Sequence, residues 1–269
     1  PLLHKVNDLF VVRTEYTLHG YAFAKFSAYD CSESKYLNSY QRSRGPVAAA
    51  KLGAVAYLFR SLSSSSIDDF PHTGGTRYMN GIDSIPALAI SPVSANKLSA
   101  ALQNQKDLKV FIKQNPQWRG KVLTHNVIAE WKGSEKPNEI ITIGGHIDSW
   151  DVGEGAHDNG TGTMGTLDAI RTLMNLGYKP KHTIRLVFYM NEENGVHGAI
   201  KYGKEAVENQ EKIIAAIESD AGGFAPRGFD IKASKDAVGW IQNQWKPLFE
   251  SNYWVSRFLE GSPGVDSGV

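Results

Sequence analysis

Hydrophobic positions along this chain recur in two rhythms: short alternating runs that suit strands, and three-to-four spacings that suit amphipathic helices. In the first part the pattern predicts strands at residues 8–13 (DLFVVR) and 20–27 (GYAFAKFS) with a turn between them. A helix follows at 46–52 (PVAAAKL), with Pro46 in its first turn and Gly53 as its stop. Residues 54–59 (AVAYLF), 85–91 (IPALAIS) and 107–114 (DLKVFIKQ) read as strands, and 94–104 (SANKLSAALQN) as a short amphipathic helix capped by Ser94. Between 61 and 81 the chain is polar and rich in turn residues, so it is a loop. Its His72, in PHTGG, reads as a solvated histidine, with a substrate-facing loop as the alternative. The sum is a small β-rich domain over residues 1–118.

Beyond it, residues 121–131 and 138–145 flank the turn-forming KGSEKPN and predict a hairpin. Strand and helix patterns then alternate: a strand to Ile143, a helix at 160–176, a strand at 183–190, a helix at 196–207, a strand at 212–218 and a helix at about 236–248. Gly177 and Pro180 close the first of these helices. Such alternation argues for an α/β domain over residues 119–269, a mostly parallel mixed sheet with helices on both faces.

Composition narrows the function classes. With 29 basic and 28 acidic side chains the net charge is +1, so no basic field is present to hold nucleic acid. Cys31 is the single cysteine, which excludes an intrachain disulfide and a thiolate metal cluster. No apolar run approaches the ~20 residues of a membrane-spanning helix. Neither a Gly-x-Ser-x-Gly elbow nor a Walker-type phosphate loop is present, and the glycine-rich GEGAHDNGTGTMG lacks a lysine.

Candidate chemistry gathers where the strands of the second half end. EIITIGG runs into His146 and Asp148, and Asp158 stands at the mouth of the next helix. TIRLVFYM is followed by Asn191, Glu192 and Glu193, and KIIAAIE by Ser219 and Asp220. Each residue alone has an ordinary explanation: Asp158 as an N-cap, the glutamates as solvated loop acids, Asp220 as a turn residue. Five acids and a histidine on one sheet edge are harder to explain that way, because crowded carboxylates repel unless a cation neutralises them. Imidazole and carboxylate without thiolate suit zinc, with manganese or cobalt as alternatives. His146 and Asp148 lie two apart on an extended chain and share a face, so the Asp148 carboxylate is expected behind the imidazole, fixing its tautomer.

These segments (GGHIDSWD, GAHDNGTGT, MNEENG and ESDAGG, in this order) resemble the co-catalytic zinc aminopeptidase family, most closely its carboxypeptidase Q branch. The first half, RGPVAAAKLGAVAYLFRS above all, is similar to the protease-associated insert domain of that branch. The resemblance implies metal ligands His146, Asp158, Glu193 and Asp220. His146 and Asp220 would serve one zinc, Glu193 the other, with Asp158 as the bridge. It also implies a cis peptide between Asp158 and Asn159 and leaves His157 as pocket wall. Glu192 and Asp148 would be the catalytic residues of an exopeptidase that removes amino-terminal residues or splits dipeptides through a zinc-bound hydroxide, with Glu192 as general base. A secreted or periplasmic location and, as an open option, a homodimer belong to the same expectation. The family's last ligand is a histidine beyond the segment that GSPGVDSGV begins to match. The chain, from Pro1 to Val269, is therefore expected to be truncated at both ends or to have an incomplete second metal site. Two alternatives stand beside the peptidase: a single-zinc glutaminyl-cyclase-like acyltransferase, and a catalytically silent binding module.

Overall fold

A computed structural model describes residues 2–6, 9–13, 40–62, 67, 69–72, 74–105, 108–220, 222–253, 255, 257–261 and 266–268. The chain divides into two compact units, Pro1–Gly120 and Lys121–Val269.

In the first unit a four-stranded sheet runs in the order β1 (Leu2–Val6), β2 (Leu9–Arg13), β3 (Ala54–Arg60), β4 (Ala87–Ile90). The first two pairings are antiparallel and the last is parallel. Strand β3 alternates as its sequence demands. Ala56 and Leu58 pack with Ala95 of helix α2 (Pro92–Asn104), while Tyr57 and Phe59 pack with Ala49 of helix α1 (Tyr40–Lys51). The expected strand at 20–27 lies outside the described residues.

Three local expectations change. Helix α1 starts before Pro46, which is buried inside it. Gly45 lies so close to the Tyr57 ring that a Cβ there would collide with it, and this packing outweighs the one N–H that proline withholds. The cap of α2 is Ser91, whose side chain accepts the Ser94 N–H at 3.0 Å, with Pro92 in the first turn. Residues 108–114 form no strand; Leu108, Val110 and Ile112 still pack alternately onto the core beside Leu58, but without a ladder partner. Period-two burial thus reports an extended chain rather than a paired one.

The second unit holds a sheet ordered β5 (Val127–Trp131), β7 (His182–Tyr189), β6 (Lys136–His146), β8 (Lys212–Glu218). The β6–β7 and β6–β8 pairs are parallel and β5–β7 is antiparallel, so the expected hairpin of β5 with β6 does not form. The reason is burial. The segment TIRLVFY of β7 is buried on both faces and takes a central slot, whereas β5 exposes most of its side chains and suits an edge. Gly133 turns the chain around the start of β7, donating its N–H to Thr183 Oγ1 at 3.1 Å where a side chain would strike the His182 backbone. Helices α3 (Thr161–Asn175) and α4 (His197–Glu208) make the two parallel crossovers. Gly177, at φ +73°, closes the turn after α3. Helix α5 (Lys235–Tyr253) packs on a two-stranded parallel sheet, β9 (Gly228–Ile231) with β10 (Arg257–Glu260), around Ile231, Val238, Val255 and Phe258. Neither of these short strands was expected from the sequence.

Candidate metal centre

Because β6, β7 and β8 are parallel, their carboxyl ends open on the same edge, and the loops that follow converge there. Close strand approach permits this. A Cβ at Gly144 would run into the Val187 carbonyl, and one at Gly145 would lie 2.9 Å from Asn159 Nδ2.

His146, the last residue of β6, is 1% exposed. Its Nδ1 donates to the Asp148 main-chain carbonyl at 2.9 Å, so Nε2 is the ring nitrogen that faces the site. There Nε2 meets Asp220 Oδ1 at 2.8 Å and Asp158 Oδ1 at 3.1 Å. Ligand atoms of His146, Asp158 and Glu193 all fall within 4.8 Å of one another. The Asp148 carboxylate does not sit behind the imidazole as expected: its Oδ1 is 3.8 Å from Nδ1. It instead accepts the N–H groups of Glu192 (3.0 Å, on Oδ1) and Glu193 (3.3 Å, on Oδ2). Asp148 therefore ties the histidine to the glutamate loop, its carbonyl on one and its carboxylate on the other.

The glutamate loop is also held from outside. Asn126 Oδ1 accepts the Met190 N–H at 3.0 Å, and its Nδ2 donates to the Gly198 carbonyl at 2.9 Å. Within the loop Asn191 stands at φ +70°. The peptide between Asp158 and Asn159 is cis. Asn159 is buried, with Nδ2 donating to the Ser219 carbonyl (2.9 Å) and Oδ1 accepting the Gly162 N–H (3.1 Å), which joins the Asp158 loop to the Asp220 loop.

Electrostatics follow from the crowding. Burial by itself lowers the His146 pKa, but the hydrogen bond and charge of Asp220 and the Asp148 carbonyl raise it to about 10. Burial first, then Asp158 and Glu192, pushes the Glu193 carboxyl up to about 7. Glu192 is also raised, chiefly by burial, with His146 opposing. Glu193 Oε1 is buried without a hydrogen-bond partner. An orphaned carboxylate oxygen, an imidazole Nε2 that can give up its proton to a metal, and further acids within reach make a donor set that fits a divalent cation of the zinc type.

Known proteins resemble this chain over most of its length. Residues 126–253 match the model of peptidase family M28. Over 246 residues the chain is 36% identical to carboxypeptidase Q of Homo sapiens, covering 91% of this chain and 52% of that protein. A solved peptidase M28 precursor from Shewanella amazonensis SB2B superposes with a TM-score of 0.68 at 36% identity, over 79% of this chain and 48% of that one. The second unit carries an M28 peptidase domain. The fold is shared with BSAP, a zinc aminopeptidase from Bacillus subtilis, at TM-score 0.50 and 21% identity over 81% and 51% of the two chains. The chain spans about half the length of these relatives.

Several residues of the second unit fall outside what the strand-end pattern signalled. Asn126 and Asn159 hold the loops that carry the candidate ligands, yet a lone asparagine in sequence signals only a turn. Asp266 is 3% exposed, with neither carboxylate oxygen hydrogen-bonded. Burial first, then the charge of Glu218, raises it to about 8. Glu218 is itself raised to about 6, mainly by burial, while its Oε2 accepts the Ser267 N–H at 2.7 Å. His182 pairs with Glu139 at 3.0 Å at the far end of its strand. His157 is exposed and packs against Phe224.

In the first unit His72 departs from its expected solvated state. Its Nδ1 accepts the Leu62 N–H at 2.9 Å, its own N–H donates to Ser61 Oγ at 2.9 Å, and its ring tilts against Phe59. Burial first, then Arg42, lowers its pKa to about 4.

Proposed function

We propose that the M28 domain is the catalytic part of a zinc-dependent exopeptidase that releases amino-terminal residues or splits dipeptides. The observation that carries this reading is the Glu193 carboxylate, which has one oxygen buried without a hydrogen-bond partner and a ligand atom within 4.8 Å of those of His146 and Asp158. His146 and Asp220 would hold one zinc and Glu193 the other, with Asp158 between them. Zinc held there would supply a Lewis acid that polarises the scissile carbonyl and lowers the pKa of water toward ~7. The remaining work falls to the chain. His146 keeps its lone pair on the site because Asp148 fixes the Nδ1 proton. Glu192, raised by burial yet held in place through its own N–H, takes a proton from the attacking water. As the carbon–nitrogen bond breaks, Glu192 returns that proton to the departing amine.

The peptidase names of the relatives support a hydrolase over the acyltransferase and the silent module. A secreted or periplasmic setting and a protease-associated-like domain over residues 1–118 belong to the same proposal. Glu192→Gln is expected to retain zinc while hydrolysis of a dipeptide panel falls ~100- to 10,000-fold. A variant that keeps full rate would remove Glu192 from the reaction.

A further inference from the structure

Between β7 and α4 the chain makes the loop that carries Glu192 and Glu193, and its backbone is wound against preference. Asn191 stands at φ +70°, Gly195 at +130° and Val196 at +50°. Glycine takes such a conformation freely and asparagine tolerates it, but a β-branched side chain adopts it only where its surroundings impose it. Asp148 holds the crown of this loop, through the N–H groups of Glu192 and Glu193. The neck needs a separate tie.

A ring of three hydrogen bonds closes that neck. Gly198 donates its N–H to the Met190 carbonyl at 2.9 Å. Asn126 Oδ1 accepts the Met190 N–H at 3.0 Å, and Asn126 Nδ2 donates to the Gly198 carbonyl at 2.9 Å. A carboxamide offers an acceptor and a donor in one plane, as a peptide group does, so Asn126 stands in for a paired strand residue. The fit leaves no slack: a Cβ at Gly198 would lie 2.4 Å from Asn126 Oδ1 and 2.4 Å from the Met190 carbonyl oxygen. The edge strand delivers this side chain. Asn126 directly precedes β5, whose antiparallel register sets Val127 against Phe188, so residue 126 falls at the end of β7 where the loop departs.

We infer that Asn126 is a positioning residue for Glu192 and Glu193, fixing where both carboxylates stand by closing the neck of their loop. It offers no ligand atom of its own, because both of its polar atoms are engaged with the main chain. The inference rests on the peptidase reading and adds to it a determinant that comes from the opposite end of the sheet's edge strand, outside the acidic cluster. Displacing a reacting group by about 1 Å can cost ~100-fold in rate, so a neck of this kind matters without touching the chemistry.

Amide hydrogen exchange in the metal-free chain, read residue by residue by NMR, tests the neck directly. In Asn126→Ala the Glu192, Glu193 and Gly198 amides should exchange roughly tenfold faster or more, while Leu186 and Val187 in the middle of β7 stay protected. Chelator competition should show zinc held about 10- to 100-fold more weakly. Asn126→Asp keeps the acceptor for Met190 but sets a carboxylate against the Gly198 carbonyl, and should fall between; where Asn126→Ala does not fold, Asn126→Asp is judged by the same measurements. Wild-type exchange at the three loop amides, equal acceleration throughout β7, or faster loop exchange with unchanged zinc affinity each overturns the positioning role. A wild-type chain that takes up no zinc overturns the metal-centre reading and this role with it, and that result alone tells the two failures apart.

Discussion

His146 and His72 are held by the same kind of contact and end with opposite chemistry. Each places Nδ1 2.9 Å from a main-chain group. For His146 that group is a carbonyl, which holds a proton on Nδ1 and turns Nε2 toward Asp158 and Asp220. For His72 it is an N–H, so Nδ1 must be bare and the proton sits on Nε2, which is buried without a partner. The surroundings reinforce the difference, with acids around one ring and Arg42 near the other. One histidine is therefore raised to about 10 and the other lowered to about 4. The lesson is that the polarity of one main-chain partner, with the sign of the local field, decides whether a buried imidazole takes up a cation or refuses one.

The strongest way to break this comparison is to follow zinc affinity against pH. His146 and Glu193 must both be deprotonated to bind metal, and in the metal-free chain their pKa values are raised to about 10 and about 7. Zinc held by His146 displaces its proton below about 10 and zinc held by Glu193 displaces its proton below about 7, so each affinity should fall about tenfold per pH unit below its own value. Competition with a chelator measures the slope, and a slope near zero below pH 7 would mean that these two groups do not hold the metal.

Next in size is the Asp148 tie. Asp148→Ala strips the acceptor from two N–H groups of the glutamate loop, and such losses around a metal site typically cost 10- to 100-fold in affinity or activity. Asp148→Asn keeps one carboxamide oxygen and should fall between. If Ala and Asn behave alike in calorimetric zinc titration, the carboxylate does not position the loop.

The smallest effect concerns His72. Its pKa is lowered in the folded chain, so its contribution to stability is complete above the unfolded value of about 6.5 and is lost as pH falls toward 4. The slope should approach about 1.4 kcal/mol per pH unit across that window, because the unfolded chain binds the proton first. His72→Gln, whose amide oxygen can accept the Leu62 N–H, should flatten it in pH-dependent unfolding. Ring-proton NMR should show a His72 midpoint near 4; a midpoint near 6.5 would return it to solvent.

Legibility along the chain followed the range of the forces involved. Strands β3, β6, β7 and β8 and helices α3 and α4 came directly from hydrophobic period, since each buries a face that its own spacing specifies. Partner choice did not. The segment 121–131 looked like one arm of a hairpin with β6, yet β5 pairs with β7, because the central slot goes to a strand that can be buried on both faces. Pro46 looked like a helix start and Ser94 like a cap, and close packing at Gly45 and the Ser91–Pro92 step set both boundaries elsewhere.

The sequence by itself determined which side chains stand at the strand ends, because a parallel sheet brings successive carboxyl ends to one edge. Tertiary structure alone decided what those side chains do to one another. That Asp148 gives His146 a carbonyl and gives the glutamate loop a carboxylate depends on χ angles and on separations of a few tenths of an ångström. So does the reversed polarity at His72. Periodicity carries no record of such distances, because they are fixed only when residues far apart in the chain compete for the same space.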